Sequence, residues 1–260
     1  MLWGGALKRA GVIGLNERNA HYITALNPRR LYPRVDNKLL TKSLAAEAGM
    51  AVPELFAVAE TQGDVRGLSA ALAERESFVV KPASGSGGDG ILVIDGRYGD
   101  SYRLISGELL PESSFRHHVS NIVSGQFSLT GQPDNALVEY RVRFDPVFDP
   151  ISFRGVPDIR IIVYRGYPAM AMVRLPTRRS DGKANLHQGA VGAGVDLATG
   201  TTLAGSSGNS RVDVHPDTLA PIAGHRVPHW ERILEIAATG FEVSGLGYLG
   251  VDIVIDRDLG

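Results

Sequence analysis

Apolar and polar positions fall into short blocks along this chain. Between Asp36 and Ala48, Leu39, Leu40, Leu44 and Ala48 recur at roughly helical spacing. That predicts an amphipathic helix with Asp36 as N-cap and Gly49 as its stop. Val52-Pro-Glu-Leu-Phe-Ala-Val58 reads as extended, and residues 67–76 read as a second helix. Ser77-Phe-Val-Val-Lys81 is β-rich and apolar, and a lysine closes it. Glycine-rich residues 84–90 follow, and then Ile91-Leu-Val-Ile-Asp95 predicts another strand. Residues 113–123 suit a helix, and Ala136-Leu-Val-Glu-Tyr-Arg-Val142 suits a strand.

The second half begins with residues 143–157, where three prolines and weak periodicity predict a loop or inter-lobe linker. Asp158-Ile-Arg-Ile-Ile-Val-Tyr164 alternates cleanly, as a half-buried strand does. Arg165-Gly166 suits a tight turn into a partner strand over residues 168–174. Residues 230–243 predict a helix, and Leu249-Gly-Val-Asp-Ile-Val-Ile255 predicts a buried strand. Residues 1–34 carry few signals and read as an arm or a reduced front domain. Strands and helices intermix without regular alternation, so the fold class is α+β rather than a doubly wound sheet.

Composition narrows the chemistry. The chain has 260 residues and a net charge of −1, so no bulk field favours nucleic acid or an anionic membrane. Without cysteine, a disulfide scaffold, a thiolate metal site and a cysteine nucleophile are excluded. The N-terminal residues lack an apolar run of signal or membrane-spanning length, and a cytoplasmic protein is expected. Length allows one or two domains.

Gly85, Gly87 and Gly90 satisfy G-x-G-x-x-G, a weak pattern alone. A dinucleotide fingerprint needs a helix directly after the glycines, and here a strand-like run follows. A Walker A loop ends in Gly-Lys-Ser/Thr, whereas this one ends Asp89-Gly90-Ile91. Protein kinases place the glycine loop before the lysine strand, the reverse of the order here. An unliganded hairpin would need fewer glycines, because each adds chain entropy to be lost on folding. Stripping side chains from the loop lets backbone N–H groups approach phosphate oxygens directly. A lysine closing an apolar strand is costly unless it faces a ligand.

Lysine strand, glycine hairpin and strand together resemble the ATP-grasp superfamily, most closely the RimK-like alpha-L-glutamate ligases. Five further segments match in the same order: Asp36-Asn-Lys38-Leu, Leu137-Val-Glu139-Tyr140, Asp158-Ile-Arg160, Lys183-Ala-Asn185-Leu-His187-Gln-Gly189 and Gly250-Val-Asp252-Ile. The resemblance runs from about Asp36 to Asp256 and implies an ATP-grasp fold in which two lobes with antiparallel sheets clamp ATP. It divides the chain into the N-terminal segment 1–34, a small lobe at 35–142 and a C-terminal lobe at 143–260.

The activity implied is carboxylate–amine ligation through an acyl-phosphate. In that scheme Lys38 and Lys81 neutralise the nucleotide phosphates. Ser84, Gly85, Ser86, Gly87, Gly88 and Gly90 form the flap over them. Glu139 and Tyr140 read ribose and adenine at the hinge, and Asp158 adds a nucleotide contact. Arg160 and Arg174 point at the transferring phosphate, and Lys183 and Asn185 hold the γ-phosphate or the acyl-phosphate. Asp252 is the expected ligand for Mg2+, with Mn2+ as the alternative, because a lone carboxylate in an apolar strand otherwise pays a desolvation penalty. The family's Glu-x-Asn metal pair falls further along than Gly260. Lys183 and Gln188 replace familial arginines, and His187 is either a base or a structural partner. Arg178, Arg179 and Lys183 make that segment basic, as an acidic substrate or a solvated loop would both allow. The implied partners are a small-molecule or peptide carboxylate and an amine, and a homo-oligomer is compatible. Two rival readings are an ATP-grasp phosphotransferase and a nucleotide-binding protein without ligase activity.

Overall fold

A computed structural model of the chain describes residues 3–85, 87–128 and 131–260. Ser86 of the glycine loop therefore lies outside the described residues. The chain divides into two compact units, one of residues 36–143 and one joining residues 1–35 to residues 144–260.

The N-terminal segment holds three short helices, α1 (Trp3–Arg9), α2 (Leu15–Arg18) and α3 (Pro33–Asp36), with a π-helical turn at Asn19–Thr24 and a 3-10 turn at Arg29–Leu31. Buried Asn27 fastens it to its own unit. Its Nδ2 donates to the Tyr248 carbonyl at 2.7 Å, and its Oδ1 accepts from the Tyr248 N–H at 3.0 Å. Tyr22 packs between Tyr164 and Tyr248, at 6.1 and 5.8 Å between ring centres.

The unit of residues 36–143 opens with α4 (Lys38–Glu47). Its N-cap is Asn37, not Asp36. The Asn37 side chain accepts from the Leu39 and Leu40 N–H groups at 3.0 and 3.1 Å, while Asp36 closes the preceding helix. Strand β1 (Leu55–Ala59) and helix α5 (Gln62–Ala71) follow. The helix predicted over 67–76 thus lies several residues earlier. Thr61 and Asp64 form a capping box that starts it at Gln62, and the chain turns off after Leu72. Then come β2 (Phe78–Pro82), β3 (Leu92–Tyr98), β4 (Ser101–Leu104), β5 (Leu109–Pro111), α6 (Glu112–Val123) and β6 (Ala136–Glu139). The six strands form one antiparallel sheet in the order β1-β6-β2-β3-β4-β5. On its core face, Phe78, Tyr102 and Phe115 pack with ring centres 4.4–6.0 Å apart.

In the other unit, the predicted linker at 143–157 holds a 3-10 turn, Pro146–Ile151, which buries Phe148 and Ile151. Two apolar anchors therefore make it part of the core rather than a free connection. Strands β7 (Asp158–Tyr164) and β8 (Tyr167–Leu175) form the predicted hairpin, with positive φ at both Arg165 and Gly166. Strands β9 (Val191–Val195), β10 (Thr202–Ser207) and β11 (Ser210–Val212) follow, then α7 (Trp230–Ser244) and β12 (Tyr248–Ile253). They make a second antiparallel sheet, β11-β10-β9-β8-β7-β12. Ile159, Ile161 and Val163 turn one face of β7 into the core with Ile233 and Ala237 of α7. The alternate residues Asp158, Arg160 and Ile162 occupy the opposite face. The fold is thus α+β with two antiparallel sheets, and among the described residues no helix is long and apolar enough to cross a membrane.

The cap assignment is testable. Asn37→Ala should destabilise the protein by about 1 kcal/mol, while Asp36→Ala should change it by only a few tenths. Chemical denaturation midpoints of the two variants check this.

Candidate functional site

Each unit gathers charge on the sheet face turned away from its core. In the unit of residues 36–143 this follows from strand alternation. Phe78 and Val80 are buried in the core, so Val79 and Lys81 take the other face of β2. Register sets Glu139 of β6 opposite Val79, which makes Lys81 its diagonal neighbour. The Lys81 ammonium pairs with Glu139 Oε1, and Lys42 Nζ pairs with Oε2 at 2.9 Å. Both lysines and the carboxylate are largely buried.

Lys38, one helical turn before Lys42, starts α4 where the chain passes the glycine loop. Its backbone N–H donates to the Ala83 carbonyl at 3.0 Å. Its Nζ donates to the same carbonyl at 3.2 Å and to the Gly85 carbonyl. Burial pushes the Lys38 ammonium below the ordinary lysine range, and the nearby Lys81 charge adds to this against the pull of Asp134 and Glu139. Burial lowers Lys42 too, opposed by its bond to Glu139. Three ammonium groups therefore cluster near two buried carboxylates, Glu139 and Asp134, and the cluster carries excess positive charge.

The glycine loop is pinned at its base and open at its tip. Ser84 N–H donates to Asp134 Oδ2 at 2.8 Å, and the Gly90 carbonyl lies 2.9 Å from His118 Nε2. A Cβ on Gly90 would come within 2.6 Å of the Phe127 ring, and one on Gly85 within 2.4 Å of Pro82. Gly87 and Gly88 both take positive φ, and a Cβ there would meet nothing within 4 Å. Gly85 thus serves packing, Gly87 and Gly88 serve backbone conformation, and Gly90, with φ of +77°, serves both. Tyr140 follows β6, and its N–H donates to the Glu54 carbonyl at 2.8 Å.

The other unit gathers Asp158, Arg160, Arg174 and Asp252 on one sheet face. Asp158 sits opposite Arg174, and Asp252 opposite Arg160. Arg160 grips Asp252 with two bonds, Nε to Oδ1 at 2.7 Å and Nη2 to Oδ2 at 2.6 Å. Arg174 does the same to Asp158, with Nε to Oδ1 at 2.6 Å and Nη2 to Oδ2, and Nη2 also reaches Asp252 Oδ2 at 2.9 Å. Burial raises the Asp158 pKa above the ordinary carboxylate range, and Arg174 opposes it. Burial works against the Arg174 charge, but its bonds to Asp158 and Asp252 more than offset this and raise its pKa.

Lys183 and Asn185 lie on the loop after β8. The Asn185 side chain caps the 3-10 turn Leu186–Gln188 by accepting from the His187 N–H at 3.0 Å. The Leu186 side chain lies over Gly192, the residue registered against Arg174. Buried His215 fastens this loop, with Nε2 at 2.9 Å from the Pro176 carbonyl. The structure thus groups Lys38, Lys81, Ser84, Gly85 and Glu139 in one unit and Asp158, Arg160, Arg174 and Asp252 in the other. Lys42 and Asp134 also belong to the cluster, though neither stands out in the sequence. Spacing of four from Lys38 was the available signal for Lys42, whereas nothing local distinguishes Asp134.

For a metal, Asp252 supplies the carboxylate, but both its oxygens accept from guanidinium groups. No cluster of three or more His, Cys, Asp or Glu side chains suited to a cation occurs among the described residues. In this arrangement the residues present do not fit Mg2+, which needs near-octahedral oxygen ligation.

Two antiparallel sheets, a lysine-tipped strand and a glycine flap define an ATP-grasp protein. The chain belongs to the sugar-transfer associated ATP-grasp family, whose profile matches residues 17–260. No curated protein matches the chain. Among solved structures, it is similar to D-alanyl-alanine synthetase A from Vibrio cholerae at 10% identity, TM-score 0.48, covering 88% of this chain and 53% of that one. D-cycloserine synthetase DcsG matches at 18% identity, TM-score 0.43, over 98% of this chain and 69% of that one. The ATP-grasp ligase PsnB, complexed with a precursor peptide and AMPPNP, matches at 12% identity, TM-score 0.38, over 90% and 48%. The chain spans about half the length of most of the structures it matches, as the 48%, 50% and 52% coverages of PsnB illustrate.

The two arginines should respond differently to substitution. Arg174→Met leaves Asp158 buried without its partner and should cost about 3–5 kcal/mol. Arg160 is more exposed, and Arg160→Met should cost about 1 kcal/mol or less. Thermal and denaturant unfolding of both variants measures the contrast.

Proposed function

We propose that this chain is an ATP-dependent ligase that phosphorylates a carboxylate and joins it to an amine. The observation that carries this reading is the half-buried cluster of Lys38, Lys42 and Lys81 beside a glycine flap. Its positive charge exceeds that of its carboxylates, and a partly desolvated ammonium is costly unless an anion meets it. A nucleotide triphosphate supplies that anion.

In this reading residues 36–143 are the small lobe. Lys38 and Lys81 bind phosphate oxygens, and backbone N–H groups of the Gly87–Gly88 tip close over them. The Glu139 carboxylate takes ribose hydroxyls, and the chain at Tyr140 reads the adenine edge. Arg160 and Arg174 stabilise charge on the transferring phosphoryl group, with Asp158 holding Arg174 in place. Lys183 and Asn185 hold the acyl-phosphate. Phosphorylation converts the carboxylate, a poor electrophile, into an acyl-phosphate and releases ADP. Amine attack then forms the amide and expels phosphate. Glutamate as acid or acceptor, as in the RimK-like branch, belongs to this proposal alone.

One observation favours a second reading, that of a nucleotide-binding protein without ligase activity: both oxygens of Asp252 are already satisfied by arginine. Hydroxylamine trapping separates the two. A ligase incubated with ATP and its carboxylic acid yields a hydroxamate and ADP. A phosphotransferase yields ADP and a phosphorylated acceptor, and a binder yields neither. Lys81→Met should weaken ATP binding about tenfold or more and abolish the hydroxamate. Unchanged ATP affinity in that variant, measured by calorimetry, would remove the basis for the proposal.

A further inference from the structure

Two lysines hold Glu139, and they do so unequally. Lys42 comes from α4, its side chain is 11% exposed, and it is held twice, by an ion pair with Glu139 Oε2 at 2.9 Å that leaves that oxygen without a well-angled hydrogen bond and by donation to the Pro53 carbonyl. Lys81 comes from the end of β2, is 21% exposed, and pairs with Oε1. Glu139 itself is only 6% exposed. A carboxylate that deep cannot lose all its compensation, because an unpaired buried charge is strongly destabilising.

We infer that Lys42 is a positioning residue that keeps Glu139 compensated and oriented while Lys81 is exchanged to an incoming anion. This rests on the reading of Lys38, Lys81 and Glu139 as a nucleotide site. With nothing bound, Lys81 and Lys42 share the carboxylate. When a triphosphate draws Lys81 away, Oε1 is freed to accept from ribose hydroxyls, and Lys42 stays on Oε2 through its second tie at Pro53. Lys42 thereby couples phosphate capture to sugar recognition without touching the nucleotide. Its place on the helix supports this division. Lys42 lies one turn beyond Lys38, on the same helix face, so α4 sends one lysine to the flap and the next to the carboxylate.

The test is calorimetric titration of the full chain with ATP and with 2′,3′-dideoxy-ATP, for wild type, Lys42→Gln, Lys42→Arg and Glu139→Gln, with melting temperatures recorded alongside. Wild type should prefer ATP by about tenfold or more, as expected when a charged acceptor loses its hydroxyl donors. Lys42→Gln should reduce that preference to about threefold or less, mainly by weakening ATP. Glu139→Gln should do the same, and a chain carrying both Lys42→Gln and Glu139→Gln should add nothing to either. Lys42→Arg restores the charge and should restore the preference. A structural staple alone would lower the melting temperature and leave the ratio untouched. A folded Lys42→Gln that keeps the full preference overturns the inference. If Lys42→Gln does not fold, a folded Lys42→Arg without the preference overturns it equally. Equal binding of both nucleotides by wild type overturns the sugar step but leaves the phosphate reading standing. No binding of either nucleotide by wild type overturns the nucleotide reading and this inference together.

Discussion

Compensation of buried charge is the constraint on which the rest of this structure depends. Both sheets use one face for an apolar core and the other for ionised groups, and the two faces follow from the same alternation along β2 and β7. Glu139 is tolerable at its depth because lysines from α4 and β2 converge on it. Asp158 is tolerable because Arg174 grips it with two bonds. Strand register brings Lys81 to Glu139 and Arg174 to Asp158, and the docking of α4 brings Lys42 to Glu139. Helix α4 must therefore dock in one rotation about its axis, and Asn37 sets where that helix begins.

The two charge clusters differ in kind. Around Glu139 the ammonium groups outnumber the carboxylates, and among the described residues Lys38 donates to the backbone carbonyls of Ala83 and Gly85. Carbonyl oxygens carry partial charge, so they compensate an ammonium less fully than a carboxylate would. Along β7, β8 and β12 the count is even, with two guanidinium groups against two carboxylates. A neutral ladder has little intrinsic pull on a phosphate. Within it Arg160 is the more exposed of the two arginines.

Much of this was legible in the residues. Strand β7 alternates from its first residue to its last, and its predicted bounds match those observed. Lys81 stood out because a lysine at the end of Phe-Val-Val has no reason to be there without a partner. Other features were hidden for identifiable reasons. Asp36 and Asn37 are both good helix caps, and only the short helix ending at Asp36 decides between them. Gly63 and Gly67 masked the start of α5, where the Thr61–Asp64 capping box outweighed their poor helix propensity. Strand β9 buries Val191, Ala193 and Val195, but the glycines between them blur its strand signal, and on β10 a Cβ at Gly205 would lie 2.8 Å from Val191. Lys42 looked like any solvated helix lysine, and its burial is set by Pro53 and Glu139, residues distant in sequence.

The arginine ladder shows most clearly why residue type alone under-determines role. Asp252 in Gly-Val-Asp-Ile-Val-Ile invites a cation, because burying a bare carboxylate is expensive. The premise of burial fails, because the Asp252 side chain is 42% exposed and β12 buries none of its residues; guanidinium groups from β7 and β8 occupy both carboxylate oxygens. A divalent ion would have to compete with a bidentate Arg160 and with the third bond from Arg174. Arg174, bonded to both Asp158 and Asp252, ties the two pairs into one ladder across β8, β7 and β12.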